Sequence, residues 1–89
     1  MQHHQLIGEI KLFVRSNYLL DSEYALEDSQ NLIASGIVDS TGILELITYL
    51  EEKYRIQFQD EELTAENFQS IERISRVVLE KMVAHRARV

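Results

Sequence analysis

The 89-residue sequence predicts a small all-α domain, and three observations carry that expectation. Proline is absent and glycine occurs three times, so little in the chain interrupts a helix. Apolar residues recur at helical spacing in three separate segments. Cysteine is absent, so neither disulfides nor thiolate metal sites contribute and the fold must stand on packing. A chain of this length builds one core and not two. Residues 1–89 are therefore expected to form a single domain, with a core over about residues 4–84 and a basic tail at 85–89.

The first helix is predicted over about residues 3–19, where Ile7, Ile10, Val14 and Tyr18, joined by Leu6 and Phe13, fall on one side. From Leu20 to Val38 no clean period survives. Leu26, Leu32, Ile33, Ile37 and Val38 recur there as apolar anchors among Asp, Ser, Asn and Gly. This reads as a long loop pinned to the core, a kind of segment that commonly carries function. The second helix is predicted from Ser40 to Tyr54, since Ile43, Leu46, Ile47, Leu50 and Tyr54 follow the spacing of a core-facing stripe. "RIQFQDEELTAENFQS" mixes Ile56, Phe58, Leu63 and Phe68 with acids, which predicts a turn and one short helix near Asp60–Asn67. Ser70 suits the cap of the last helix, in which Ile71, Ile74, Val78 and Met82 form the inner stripe with Val77 beside it. The expected architecture is a small four-helix bundle: three main helices, a short third one and a long first loop.

Charge is unevenly placed. Between Asp21 and Glu66 there are 12 acidic residues against Lys53 and Arg55, a local balance of −10, while the rest carries seven basic and three acidic residues, or +4. Phosphate backbones would be repelled by the acidic middle, and basic protein surfaces would be drawn to it. Nucleic-acid binding is not expected. The start "MQHHQLIGEIKLFV" has no basic leader, and Glu9 and Lys11 interrupt its apolar run, so it reads as neither signal peptide nor membrane span. A cytoplasmic monomer is expected. His3, His4 and His85 lack acidic or thiol companions at ligand spacing, so they are expected to be flexible terminal residues and no metal site is predicted. Arg86 and Arg88 stand where cations favour a helix carboxyl end, but the tail "HRARV" is expected to be a solvated, fraying terminus.

The stretch "GIVDSTGILELITYLEE" sets an Asp-Ser pair immediately before the second helix. Asp39 and Ser40 are both good helix caps, and either would satisfy an orphan backbone N–H. A hydroxyl at that place also lies where backbone donors and the positive dipole end favour a phosphate. Ser40 is a poor nucleophile on its own, because no Gly-x-Ser-x-Gly turn surrounds it and no histidine stands nearby in sequence. At 100° per residue, Thr41, Glu45, Thr48 and Glu52 fall together opposite the core stripe, and Leu44 lies at the edge of that acidic face.

Taken together, "GIVDSTGILELITYLEEKYRI" resembles the acyl carrier protein family, in which a Gly-apolar-apolar-Asp-Ser sequence precedes a helix of this pattern. "NLIASGIVDS" looks like the end of that family's long first loop, and "YRIQFQDEELTAENFQSIERI" resembles its passage through the short third helix into the fourth, so the likeness covers most of residues 6–82. The resemblance implies a freestanding carrier protein that is not itself an enzyme. Ser40 would receive 4′-phosphopantetheine from coenzyme A through a separate phosphopantetheinyl transferase and its Mg²⁺, with Asp39 assisting by hydrogen bonding or near the metal. The arm's thiol would hold an acyl or aminoacyl group as a thioester. The resemblance also implies docking through Thr41, Leu44, Glu45, Thr48, Glu51 and Glu52. At Thr41 the family usually has Leu or Met, and Gly42 shortens a side chain expected beside the arm. These departures lean towards a specialised pathway, with an acyl- or aminoacyl-adenylating ligase as loading enzyme.

Two readings of other classes stand beside this one. An acidic helical adaptor would bind proteins through the second helix with Ser40 only a cap. A small hydrolase would use Ser40 with His3, His4 or His85 as base.

Overall fold

The computed structural model describes residues 2–19 and 25–87, the last three by backbone. The elements are α1 (His3–Tyr18), α2 (Ser40–Tyr54), a 3-10 turn (Asp60–Glu62) and α3 (Ile71–Ala87), with no strand among the described residues. The all-helical architecture is the one the apolar spacing predicts. Of the expected features, loop residues 20–24, the side chains of His85 and Arg86, and Arg88 lie outside the described residues.

Each helix buries the stripe that its sequence marks. In α1 the line Leu6, Ile10, Val14 is fully buried, flanked by partly buried Ile7, Phe13 and Tyr18. Leu46 and Leu50 of α2 are fully buried and Tyr54 nearly so, while Ile43 and Ile47 pack at the margin. Ile71, Ile74 and Val78 of α3 complete the core, with Leu26, Leu32 and Val38 reaching in from the first loop. A fully buried leucine of this kind is worth about 2 kcal/mol in transfer free energy, so these lines supply the driving force.

Contacts fix α1 and α2 as antiparallel neighbours. The end of α1 meets the start of α2 through Tyr18 and Gly42. Midway, Phe13 stacks on Tyr49 with ring centroids 3.9 Å apart. Near the other end, Glu9 accepts a 2.7 Å hydrogen bond from the Tyr54 hydroxyl and pairs with Lys53 at 3.3 Å. The first loop is tied to the region where α3 begins, by Leu32 N–H to Gln69 O and Glu72 N–H to Asp28 O. Ser70 caps α3 as expected, its Oγ accepting from Arg73 N–H at 3.1 Å.

Three expectations need correction. The short third helix is reduced to the 3-10 turn Asp60–Glu62, followed by non-helical turns at 65–68. Local side-chain bonds compete with helix there: Thr64 Oγ1 accepts from Asn67 N–H, and Asn67 Nδ2 donates to Glu62 O. Ile33, expected as a core anchor, is 41% exposed. The Asn31 side chain accepts from both Ile33 and Ala34 N–H and starts a tight turn that closes at Gly36 (φ 78°), sending Leu32 inward and its neighbour outward. His3 is no loose terminal residue either: it is the first residue of α1, with Nε2 2.7 Å from Ser75 Oγ. The Ser75 hydroxyl donates to Glu72 O at 2.8 Å, so the imidazole N–H is the donor to Ser75.

Candidate functional site

The first turn of α2 is built around its cap. Asp39 has extended backbone (φ −91°, ψ −177°), and its Oδ1 accepts from Gly42 N–H at 2.8 Å. Of the two residues the sequence offers as caps, Asp39 takes the role. Ser40 stands one position further in, as the first helical residue, and is exposed. Its hydroxyl has no hydrogen-bond partner among the described residues. Thr41, next to it, is exposed as well.

Gly42 is buried, and not beside Ser40 as the sequence reading had it. Two residues along a helix turn a side chain by about 200°, which aims Gly42 at α1. A Cβ there would lie 2.8 Å from Val38 Cγ1, 3.1 Å from Tyr18 Cε1 and 3.3 Å from Asp39 Oδ1. The missing side chain lets the Tyr18 ring close on the helix. The Tyr18 hydroxyl then lies 3.0 Å from Gly42 O and 3.1 Å from Glu45 Oε2, its one proton shared between the two acceptors. Burial, together with the Glu45 and Asp39 charges, pushes the Tyr18 phenol up to about 12, so it stays a neutral donor. Sequence reasoning missed Tyr18, which it placed only in the α1 stripe; the signal was a glycine three residues past an Asp cap in an otherwise full helix.

The outward face of α2 is arranged as the periodicity predicts. Leu44 is 64% exposed, and Glu45, Thr48 and Glu52 are exposed around it. Thr48 returns its hydroxyl to Leu44 O. Glu51 stands apart from the others. It is partly buried, and its Oε2 accepts from Phe58 N–H at 3.0 Å, so this carboxylate holds the chain leaving α2. That segment begins at Arg55, which takes the left-handed conformation (φ 55°, ψ 50°) usual where a helix ends.

Among the described side chains no histidine stands by to activate Ser40. His3 is engaged with Ser75, and the antiparallel pairing puts the start of α1 about 20 Å, a helix length, from the start of α2. Among the described residues no group of His, Asp and Glu is arranged to hold a metal ion. An open groove of about 820 Å³, lined by Arg55, Ile56, Gln59, Val77 and Lys81 among others, contains none of the residues predicted for the site. No helix of the described residues is long and apolar enough to cross a membrane.

Comparison with known proteins agrees with the fold. The chain is similar to one in the crystal structure of Bradyrhizobium japonicum glycine:[carrier protein] ligase complexed with glycylated carrier protein. The TM-score is 0.63 and the identity 24%, over 83% of this chain and 95% of that one. No family model matches the sequence, and no curated protein matches it. At that identity the likeness establishes a shared fold.

Proposed function

We propose that this protein is a carrier protein, which holds an acyl or aminoacyl group on 4′-phosphopantetheine attached to Ser40 and presents it to partner enzymes. The observation that carries the reading is the state of one hydroxyl. Ser40 Oγ is exposed at the first turn of α2, relieved of the capping role by Asp39 and without a partner among the described residues. A phosphodiester on that oxygen would sit at the positive end of the helix. One carboxylate oxygen of Asp39 is spent on the cap, and the other is available to the Mg²⁺ of a transferase. The group would supply a thiol on a long arm, tethering its cargo at high effective concentration beside a docked enzyme.

Attachment is a phosphoryl transfer catalysed by another protein. The Ser40 oxygen forms the new P–O bond to the pantetheine-bearing phosphorus of coenzyme A. The pyrophosphate link breaks, adenosine 3′,5′-bisphosphate leaves, and the serine proton passes to a base of the transferase. This chain contributes the oxygen and the surface that brings the transferase to it.

The likeness to the glycylated carrier complex supports an amino acid as cargo and an adenylating ligase as loading enzyme. The aligned shares make the matched chain slightly shorter than this one, the size of a carrier and not of a ligase. Exposed Leu44 and the carboxylates of Glu45 and Glu52 suit weak, steered encounters with basic surfaces. Thr41 and Thr48 lie on the same face. The chain acts as a substrate and not as a catalyst.

Incubation with coenzyme A, Mg²⁺ and a broad-specificity phosphopantetheinyl transferase is expected to add one phosphopantetheine by intact mass. Ser40→Ala is expected to abolish the addition. A wild-type chain left unmodified by several transferases would refute the proposal and favour the adaptor reading.

A further inference from the structure

The relation between Tyr18 and Glu45 goes beyond the carrier reading and rests on it. Glu45 lies on the outward face, yet its carboxylate does not extend freely into solvent: Oε2 accepts from the Tyr18 hydroxyl at 3.1 Å. The phenol is itself held on two sides. Its oxygen also lies 3.0 Å from Gly42 O, and its ring edge is seated where a side chain at residue 42 would be. Phe13 meets the ring edge-on, with centroids 6.1 Å apart. Gly42 in turn has its N–H held by Asp39, the residue next to Ser40. One continuous set of contacts thus runs from the cap beside Ser40, through Gly42 and Tyr18, to the carboxylate of Glu45.

A hydrogen bond from a positioned phenol removes rotameric freedom from an exposed glutamate before a partner arrives. It also draws the carboxylate towards the seam between α1 and α2. We infer that Tyr18 is a positioning residue for docking, which fixes the Glu45 carboxylate at the α1–α2 seam to receive an arginine or lysine side chain of the partner enzyme. Gly42 is the sequence feature that makes this possible. A larger residue there would displace the ring and release Glu45, so the departure at residue 42 sets partner specificity through α1. The complementary partner surface carries its cation where it reaches the carboxyl end of α1 as well as α2.

The experiment is a double-mutant cycle with Tyr18→Phe and Glu45→Gln. It is read with a broad-specificity phosphopantetheinyl transferase, coenzyme A and Mg²⁺. Tyr18→Phe keeps the ring and loses only the donor. It is expected to raise the KM for this chain about fivefold, the scale of ordering one glutamate side chain on docking, with kcat within about twofold. In the Glu45→Gln background the same change is expected to move KM by less than about twofold, because the two residues act as one unit. The Kd of the transferase for the unmodifiable Ser40→Ala chain should show the same pattern. An unchanged KM and Kd in Tyr18→Phe would overturn the inference. So would a full fivefold effect in the Glu45→Gln background, which would make Tyr18 act by another route. A wild-type chain that gains no mass gives a different signature and overturns the carrier reading beneath it.

Discussion

The ring of Tyr18 stands in the space that a side chain at residue 42 would need, with Cε1 3.1 Å from the Cβ position of Gly42. Val38 Cγ1 crowds the same point at 2.8 Å. Val38 belongs to the core and Tyr18 packs against it, so neither swings away freely. Overpacking of this kind costs about 1–3 kcal/mol, and replacing a helical glycine by alanine returns about 1 kcal/mol. Gly42→Ala is therefore expected to lower stability by about 1 kcal/mol net in urea denaturation. A gain in stability would show that the close approach does not exist in solution.

Asp39 and Ser40 separate by the same measurement. Asp39 Oδ1 closes the first turn of α2 on Gly42 N–H, so Asp39→Ala should cost about 1 kcal/mol. Ser40→Ala should change stability by less than about 0.5 kcal/mol, because its hydroxyl supports nothing in the fold. The reverse ranking would return Ser40 to the role of cap and weaken the case for it as a tether.

Much of this was legible from spacing alone, because amphipathic stripes and caps are local. Leu6, Ile10 and Val14, or Leu46 and Leu50, lie inward for reasons contained within a few turns. Exposure of Leu44 follows from the same arithmetic. What the sequence hid were contacts between distant residues. Nothing near Gly42 announces that residue 18 fills its place, and nothing near His3 announces Ser75. The weak third helix was overestimated for a related reason: Thr64 and Asn67 offered the backbone alternative bonds that an acidic, weakly periodic segment could not outcompete.

Stability should fall at both ends of the pH scale. On the acid side, the Tyr54 hydroxyl and Lys53 hold the Glu9 carboxyl below its ordinary 4.5, and Lys81, 2.7 Å away, does the same for Glu62. Groups with a depressed folded value add stability that is complete above the unfolded value and is lost as pH falls through the folded one. On the alkaline side, burial and the Glu45 charge raise Tyr18 to about 12, and burial and Glu9 raise Tyr54. Raised groups add stability below their unfolded value of 10, lost as pH climbs through the folded one. Thermal melts should be flat from about pH 6 to 9 and decline on either side. Glu62→Gln should soften the acid limb, and an unchanged limb would show that the Lys81 pair does not form.

Neighbouring acids of α2 should respond in opposite ways. Glu51 Oε2 holds the N–H of Phe58, whose ring is buried against Phe68 with centroids 5.3 Å apart. Glu51→Ala leaves that N–H without its acceptor and should cost about 1–2 kcal/mol. Glu52→Ala and Leu44→Asp alter only exposed positions and should stay within about 0.5 kcal/mol, with helix content by circular dichroism unchanged. Under the carrier reading, those two substitutions should instead slow transfer to Ser40, Leu44→Asp by removing an apolar contact and Glu52→Ala by weakening steering at low salt. Any loss of transfer in Glu51→Ala should track its loss of stability, because its carboxylate oxygen is bonded to Phe58 N–H.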